Sequence, residues 1–353
     1  MGSALRAQPC GLHCRWEQLG KQAGQRHSKG TKVNRFVMLP PSDQLTETWA
    51  SAVAEAAPSL DVEVATDRET ALRLLPEAVA AYGSLDPELL SQSGNLRWLQ
   101  APMAAPPAGF FFPELVAHPV EVTNFRGVYN DHVATHAVAM LLGLARNLPV
   151  YMRQQPTGTW DRHLADADIL HLPESTVLVI GVGGIGTEIG RMVAAFGARV
   201  IGIDPRRSDC PEGITEIHPP AQLDRLLPQA DVVVLTLPHT PESEGMFGAE
   251  RLALMKPSAL LVNIGRGATV QLGPLTEALQ QGRLGGAALD VFEEEPLPST
   301  HPLWREPKTI LTPHVAVVGP YIPERRLAVL CENARRFAAG EALTNLVDKS
   351  LWY

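Results

Sequence analysis

Read from Val33 onward, the chain alternates short apolar runs with longer stretches of helical spacing. The runs "RFVML", "DVEVA", "RWLQA" and "VEVTN" have the length and the β-branched or aromatic content of strands, and Ala- and Leu-rich segments broken by Pro and Gly separate them. This predicts an α/β layout with no internal repeat. After Asn130-Asp131, which can cap a helix, Val133, Ala137, Met140, Leu141, Leu144 and Leu148 recur at helical spacing until Pro149, so a packed helix is expected there. A looser polar stretch, "RQQPTGTWDRHLADADILHLPEST", follows and reads as a linker or crossing loop.

The clearest pattern comes next. "TVLVI" is a continuous β-branched run of the kind buried on both faces of a parallel sheet, and it leads directly into Gly181-Val182-Gly183-Gly184-Ile185-Gly186. A helix is expected after it, with Ile189, Val193 and Phe196 on one face and Gly197 at its end, and then a second strand, "ARVIGI", closing on Asp204. In this strand, turn, helix, strand order each glycine has a purpose. Gly181 permits the tight turn, Gly183 lets the backbone approach a pyrophosphate, and Gly186 lets the helix pack close to the sheet. The helix N-terminus offers free N–H groups and a partial positive charge to phosphate. Asp204 can accept from an adenosine ribose and repels a 2′-phosphate, which favours NAD; Arg206 and Arg207 just beyond it keep NADP possible.

Downstream, "DVVVLTLP", "ALLVNIGRG", "RLGGAALDVF" and "TILTPH" are strand-like, with helical "AERLALM" and "LGPLTEALQQG" between them. Ligands of parallel α/β sheets sit beyond the carboxyl ends of the strands, so polar residues there are candidates for chemistry. Three ends supply them: Arg266 between two glycines, Asp290 with Glu295 in the loop beyond it, and His314 after Pro313. An arginine, a carboxylate and a histidine at equivalent ends of one sheet can converge on one substrate, as hydride chemistry on a 2-oxo acid requires.

Composition narrows the classes. A net charge of −8 over 353 residues disfavours nucleic acid and anionic membrane as partners. The most apolar segment, Val133 to Leu148, is interrupted by His136 and Arg146, so no membrane span is expected. Four scattered cysteines, Cys10, Cys14, Cys210 and Cys331, make no disulfide framework, which points to a reducing, cytoplasmic setting. Residues 1–32 are basic, lack aspartate and show little periodicity, so a disordered tail is expected; Cys10, His13 and Cys14 fall short of the four ligands of a structural zinc site, and no metal is expected.

The chain resembles the D-isomer-specific 2-hydroxyacid dehydrogenases from about Asn34 to Tyr353. The segments that carry the likeness are "VLVIGVGGIGTEIGR", "LPHTPES", "KPSALLVNIGRGATV", "GGAALDVFEEEPLP", "HPLW" and "TPHVA". The resemblance implies that Arg266, Glu295 and His314 are catalytic: Arg266 grips the substrate carboxylate, His314 exchanges a proton with the oxygen on C2, and Glu295 stabilises the imidazolium. It also implies that Asp290 orients the nicotinamide amide and that Pro238, Ile264, Gly265 and Ala316 contact the cofactor, together with Gly181, Gly183, Gly184, Ile185, Gly186, Asp204, Arg266 and His314. His239 and His301 are expected to be non-catalytic.

The implied fold is a Rossmann dinucleotide-binding domain, residues 127–315, inserted into a flavodoxin-like α/β substrate domain made of residues 33–126 and 316–353. A helix after Pro323, with Leu327, Leu330 and Phe337 inward and Gly340 as its cap, would return the chain to the substrate domain, and closure of the two domains would exclude water. A homodimer is implied, with the Val133–Leu148 helix and its surroundings in the nucleotide domain as the expected contact.

One departure concerns the substrate. Many members of the family carry a Ser/Asn-Ala-Gly-Val-Asp loop after the "LQ" strand, whereas this chain reads "LQAPMAAPPAGFFFPEL". Ala104 and Ala105 fall near that loop as candidate substrate contacts, and Pro102, Pro106 and Pro107 lack N–H groups. "FFFPEL" would line an apolar pocket or serve as core or dimer contact. The reaction implied is interconversion of a small 2-oxo acid and its D-2-hydroxy acid. A rival reading is an NAD(H)-responsive binding protein like the C-terminal-binding co-repressors, disfavoured by the acidic balance and by the lack of a long interaction segment after Tyr353. Formate dehydrogenase chemistry is disfavoured by Glu295.

Overall fold

The computed structural model describes residues 34–106, 109–162 and 169–352. The tail expected over residues 1–32 and Pro107 lie outside them. Five parallel strands form the first sheet: β1 (Asn34–Met38), β2 (Leu60–Val64), β3 (Ala78–Tyr82), β4 (Trp98–Gln100) and β5 (Glu121–Thr123), ordered β2-β1-β3-β4-β5. That is the flavodoxin-like order. Four of these strands match apolar runs in the sequence. The alanine-rich β3, "AVAAY", lacks the β-branched signal and was covered by the expectation of a helical separator.

Helix α1 (Gln44–Ala56) follows β1 and is capped by Asp43, whose carboxylate accepts from Thr46 N–H. Its Trp49 and Val53 pack with Phe36, Met38 and Trp98 on one face of the sheet, and Phe110 and Phe111 enter the core on the other face with their rings 5.0 Å apart. The first two phenylalanines of "FFFPEL" are therefore core residues.

Helix α2 (Asn130–Ala145) differs from the sequence expectation at both ends. Tyr129 stands at its N-cap without a side-chain bond, since the helix begins at Asn130 itself, and the Asp131 carboxylate in its first turn is forked with Arg325, 2.7 and 3.0 Å away. The Arg325 guanidinium holds that carboxyl well below the usual carboxylate range. The helix stops before Pro149: Asn147 turns left-handed at φ 52°, and Pro149 opens the next helix, α3 (Leu148–Gln154). Val133, Ala137, Met140, Leu141 and Leu144 are buried inside the chain, so the face expected to meet a second copy is already covered. Leu148, Tyr151 and Met152 are exposed on α3 instead.

The second sheet contains β6 (Thr176–Ile180), β7 (Arg199–Ile203), β8 (Glu216–His218), β9 (Val232–Leu235), β10 (Leu260–Asn263), β11 (Gly286–Leu289) and β12 (Thr309–Leu311). All are parallel, in the order β12-β11-β10-β9-β6-β7-β8. The order reverses between β6 and β9, which opens the Rossmann crevice at their carboxyl ends. Side chains of β6 alternate between two cores, Val177 and Val179 facing α2 and Leu178 and Ile180 facing the opposite layer, so a continuous apolar run is what this strand requires. Helix α4 (Gly184–Ala195) connects β6 to β7; Ile189 and Val193 are inward, but Phe196 lies past the helix end and is exposed.

Helix α5 (Ile322–Ala339) ends at Gly340 in the left-handed region. It packs against α1, and Trp98 and Phe337 ring centroids are 5.5 Å apart. Beyond it, Val347 N–H donates to Val122 O and Asn333 holds Thr344, which ties the C-terminal segment to the first sheet. Among the described residues no single helix is long and apolar enough to cross a membrane.

Candidate active site

At the end of β6 the chain turns at Gly181 with φ +94°, a conformation that favours glycine. A Cβ on Gly186 would collide with Gly181 O, and one on Gly184 would collide with the Asn130 side chain, so the first turn of α4 lies tight against both β6 and α2. Gly183 differs: nothing stands within 4 Å of where its Cβ would be. Packing does not demand glycine there, and the open space in front of an uncapped helix N-terminus suits a phosphate group. Ile185 packs sideways into the core.

Asp204 follows β7. Its Oδ2 accepts from Val182 N–H at 2.9 Å, and Oδ1 accepts from the N–H groups of Arg206 and Arg207. The carboxylate therefore ties the second strand to the glycine turn. The Arg207 side chain lies back over that turn, donating to Val182 O and Thr187 Oγ1 and pairing with Asp209.

Arg266 leaves the end of β10 on a turn pinned from both sides by Asn263, whose Oδ1 accepts from Gly265 N–H and whose Nδ2 donates to Arg266 O. Asn263 is fully buried and belongs to the site, although sequence reasoning did not single it out. Gly265 and Ile264 run close to the end of β9, where a Cβ on Gly265 would stand 2.7 Å from Leu237 O; Pro238 follows in that loop. The Arg266 guanidinium donates to Gly265 O at 2.6 Å and to Ala105 O at 3.1 Å. Burial lowers its pKa from the usual range, and the Glu295 carboxylate opposes that shift.

Glu295 and His314 are in contact. Glu295 Oε1 accepts from Phe292 N–H at 2.9 Å, and Oε2 stands 2.8 Å from His314 Nδ1. An ionised carboxylate only accepts, so Nδ1 carries the hydrogen and Nε2 is left to exchange a proton elsewhere. His314 adopts φ +53°, and its N–H is shared between Asp290 O and Thr312 O. A histidine held in the left-handed region needs surroundings that fix it.

Asp290 provides that fixation. It is 1% exposed; Oδ1 accepts from Thr312 Oγ1 at 2.7 Å and Val315 N–H at 2.9 Å, and Oδ2 accepts from Ala316 N–H at 3.0 Å. His136 of α2 joins from below, with Nε2 3.0 Å from Thr312 Oγ1. Expected from the resemblance to orient a nicotinamide amide, Asp290 directs both oxygens to the loop that carries His314. Thr312 and His136 had no sequence signal beyond their own residue type, since the contact joins positions far apart in the chain.

In the loop after β4, four successive carbonyls face protein donors: Pro102 O meets Arg326, Met103 O meets Phe125 N–H, Ala104 O meets Asn124 and Ala105 O meets Arg266. Because the N–H of a trans peptide points opposite to its C=O, the amides of Met103, Ala104 and Ala105 are turned the other way.

A family profile described as "D-isomer specific 2-hydroxyacid dehydrogenase, NAD binding domain" matches residues 138–316. The chain belongs to the D-isomer specific 2-hydroxyacid dehydrogenase family. A glyoxylate reductase of Aeropyrum pernix is 34% identical over 293 residues, 80% of this chain and 87% of its own. Among solved structures, a D-isomer specific 2-hydroxyacid dehydrogenase of Xanthobacter autotrophicus in complex with NADPH and MES superposes with a TM-score of 0.76 at 30% identity, covering 91% of this chain and 100% of its own. An NADPH-dependent glyoxylate/hydroxypyruvate reductase of Sinorhizobium meliloti, in complex with NADP and sulfate, gives 0.74 at 28% identity with coverages of 91% and 100%.

As a member of the D-isomer specific 2-hydroxyacid dehydrogenase family this chain is an NAD(P)-dependent oxidoreductase. The Thr312 link in it is testable alone. Thr312→Val keeps the side-chain shape but leaves Asp290 Oδ1 and His136 Nε2 without their shared partner, so stability falls by about 1–3 kcal/mol. Urea denaturation measures this, and a midpoint equal to that of the wild type would remove the hydroxyl from the account.

Proposed function

We propose that the chain reduces small 2-oxo acids to D-2-hydroxy acids, and runs the reverse reaction, with NADH as the preferred reductant. Residues 127–315 act as the dinucleotide-binding domain, and residues 33–126 with 316–353 present the substrate. The observation that supports this best is the meeting of Arg266, Glu295 and His314 at the carboxyl ends of three adjacent strands, with Arg266 reaching the substrate-side loop at Ala105.

The residues suit the cofactor. The α4 N-terminus offers N–H donors to the pyrophosphate, the open space at Gly183 admits it, and Asp204, bonded to the glycine turn through Val182 N–H, can accept from an adenosine ribose. When bound, the nicotinamide supplies or accepts the hydride. Arg266 holds the substrate carboxylate in its planar fork beside the amides of Ala104 and Ala105, and so turns the C2 carbonyl toward His314. The imidazolium Nε2 donates a proton to the carbonyl oxygen as C2 gains the hydride, and takes it back in oxidation. Glu295, bonded to Nδ1, keeps the ring oriented and stabilises its positive charge. Asp204 favours NADH by repelling a 2′-phosphate, and Arg207 is already engaged with Asp209.

The test is oxidation of NADH and, separately, NADPH against a panel of 2-oxo acids, with Arg266→Lys alongside. Turnover with NADH is expected, and the variant, which retains charge but loses the fork, should lose about tenfold to hundredfold in kcat/KM. A preference for NADPH would assign Arg206 and Arg207 to the 2′-phosphate instead. Tight NADH binding with no turnover of any acid would overturn the enzymatic reading in favour of a binding role.

A further inference from the structure

A cavity of about 240 Å³ opens at the carboxyl ends of β1, β3 and β4, with Leu39, Trp49, Tyr82, Ser84, Pro102 and Arg326 in its lining. Arg326 reaches it from α5. The guanidinium carbon lies 5.1 Å from the Trp49 ring centre and 4.8 Å from that of Phe125, while Nη2 donates to Tyr82 Oη at 2.9 Å and Pro102 O at 2.7 Å. Nε is buried and without an acceptor. Among the described residues no carboxylate pairs with this guanidinium. Asp43 also lines the cavity, but it is exposed and its Oδ1 is taken by the Thr46 amide and hydroxyl.

Arg326 is half-buried, and with Nε enclosed without an acceptor and only two neutral acceptors on Nη2, part of its capacity to donate is left unmet. Nη2 spends its two hydrogens on Tyr82 and Pro102 and Nε is enclosed, so Nη1 is the nitrogen left to donate to a carboxylate. The position adds the second half of the argument. Arg326 grips the substrate-side loop at Pro102 and Arg266 grips it at Ala105, three residues apart, so the two contacts are separated by at most roughly 10 Å of chain. Both cations thus hold the same short loop, and a short molecule with an acid at each end is the ligand that would engage the pair.

We propose that Arg326 recognises a second carboxylate on the substrate, so that the preferred substrates are short 2-oxo dicarboxylic acids. This rests on the reading of Arg266 as the anchor of the first carboxylate. Ser84 at the mouth adds a hydroxyl donor, and the rings of Trp49 and Tyr82 bound the carbon chain between the acids.

The experiment compares 2-oxoglutarate with 2-oxopentanoate, which has the same carbon chain and no distal carboxylate, in the wild type, Arg326→Met and Arg326→Lys. The wild type should favour 2-oxoglutarate in kcat/KM by about 30-fold, the worth of a lost charged hydrogen bond. That ratio should fall toward unity in Arg326→Met, mainly through KM, and should be intermediate in Arg326→Lys, which keeps the charge but loses the planar guanidinium held by Tyr82 and Pro102. Should the methionine variant fail to fold, the lysine variant decides. An equal preference in the wild type, or a ratio that the variants leave unmoved while glyoxylate is still reduced, would overturn the inference without touching the enzymatic reading. If the wild type reduces no 2-oxo acid, the enzymatic reading fails, and calorimetric titration with succinate then decides for the cavity: binding weakened in the variant supports the anion site, and equal binding removes it.

Discussion

If His314 is the general acid proposed above, replacing it by alanine should lower kcat by about 10³, within the range that such a group contributes, while NADH binding should change far less. The reason is geometric. Nδ1 is held 2.8 Å from Glu295, the backbone is held at φ +53° by bonds to Asp290 O and Thr312 O, and only Nε2 is left for the substrate. Alanine removes the proton donor and leaves a space that water can fill but cannot order in the same way. Stopped-flow measurement of NADH binding and of single-turnover hydride transfer separates the two effects. A variant that transferred hydride at the wild-type rate would require another acid and would dismiss the role of this histidine.

Gly186→Ala should be the most damaging single-methyl change in the cofactor half. The added carbon would collide with Gly181 O, a backbone atom that cannot retreat: Gly181 N–H is bonded to Ile203 O, and the carbonyl itself accepts from Thr236 Oγ1. Helix α4 must then move away from β6 and carry its N-terminal amides with it. Overpacking of this kind costs about 1–3 kcal/mol in stability, and displaced amides should weaken NADH by about 100-fold or more. Gly183→Ala is the matched control. With nothing within 4 Å of the new methyl it should leave the thermal midpoint nearly unchanged and still weaken NADH, because the ligand is what the methyl would meet. Fluorescence titration of NADH and thermal denaturation of both variants make the comparison; equal behaviour of the two would refute this division between packing and binding glycines.

These contrasts also explain what could be read in the sequence. The β6, glycine turn, α4, β7 and Asp204 unit was legible because every part of it is local: β-branched residues buried on both sides, a turn that excludes Cβ, and a helix of clear period. Helix α5 and Gly340 were legible for the same reason. Strand β3 was not, since Ala78–Tyr82 is buried by its place in the middle of the first sheet and not by bulky side chains of its own. The expected cap at Asn130-Asp131 failed because the helix starts one residue earlier, at Asn130, and Asp131 in its first turn pairs with Arg325 from far along the chain. The convergence of Asp290, Thr312 and His136 had no local signal either, as it exists only once β11, β12 and α2 are assembled.

The two sheets divide the labour in a way that has evolutionary weight. Arg266, Glu295 and His314 come from loops of the seven-stranded sheet, whereas Trp49, Tyr82 and the Pro102–Ala105 turn come from the five-stranded one. On the proposed reading, drift in the smaller sheet would change which acid is admitted while the proton and hydride machinery stayed intact. A lineage built this way would explore new metabolites by altering a few wall residues, without passing through an inactive ancestor.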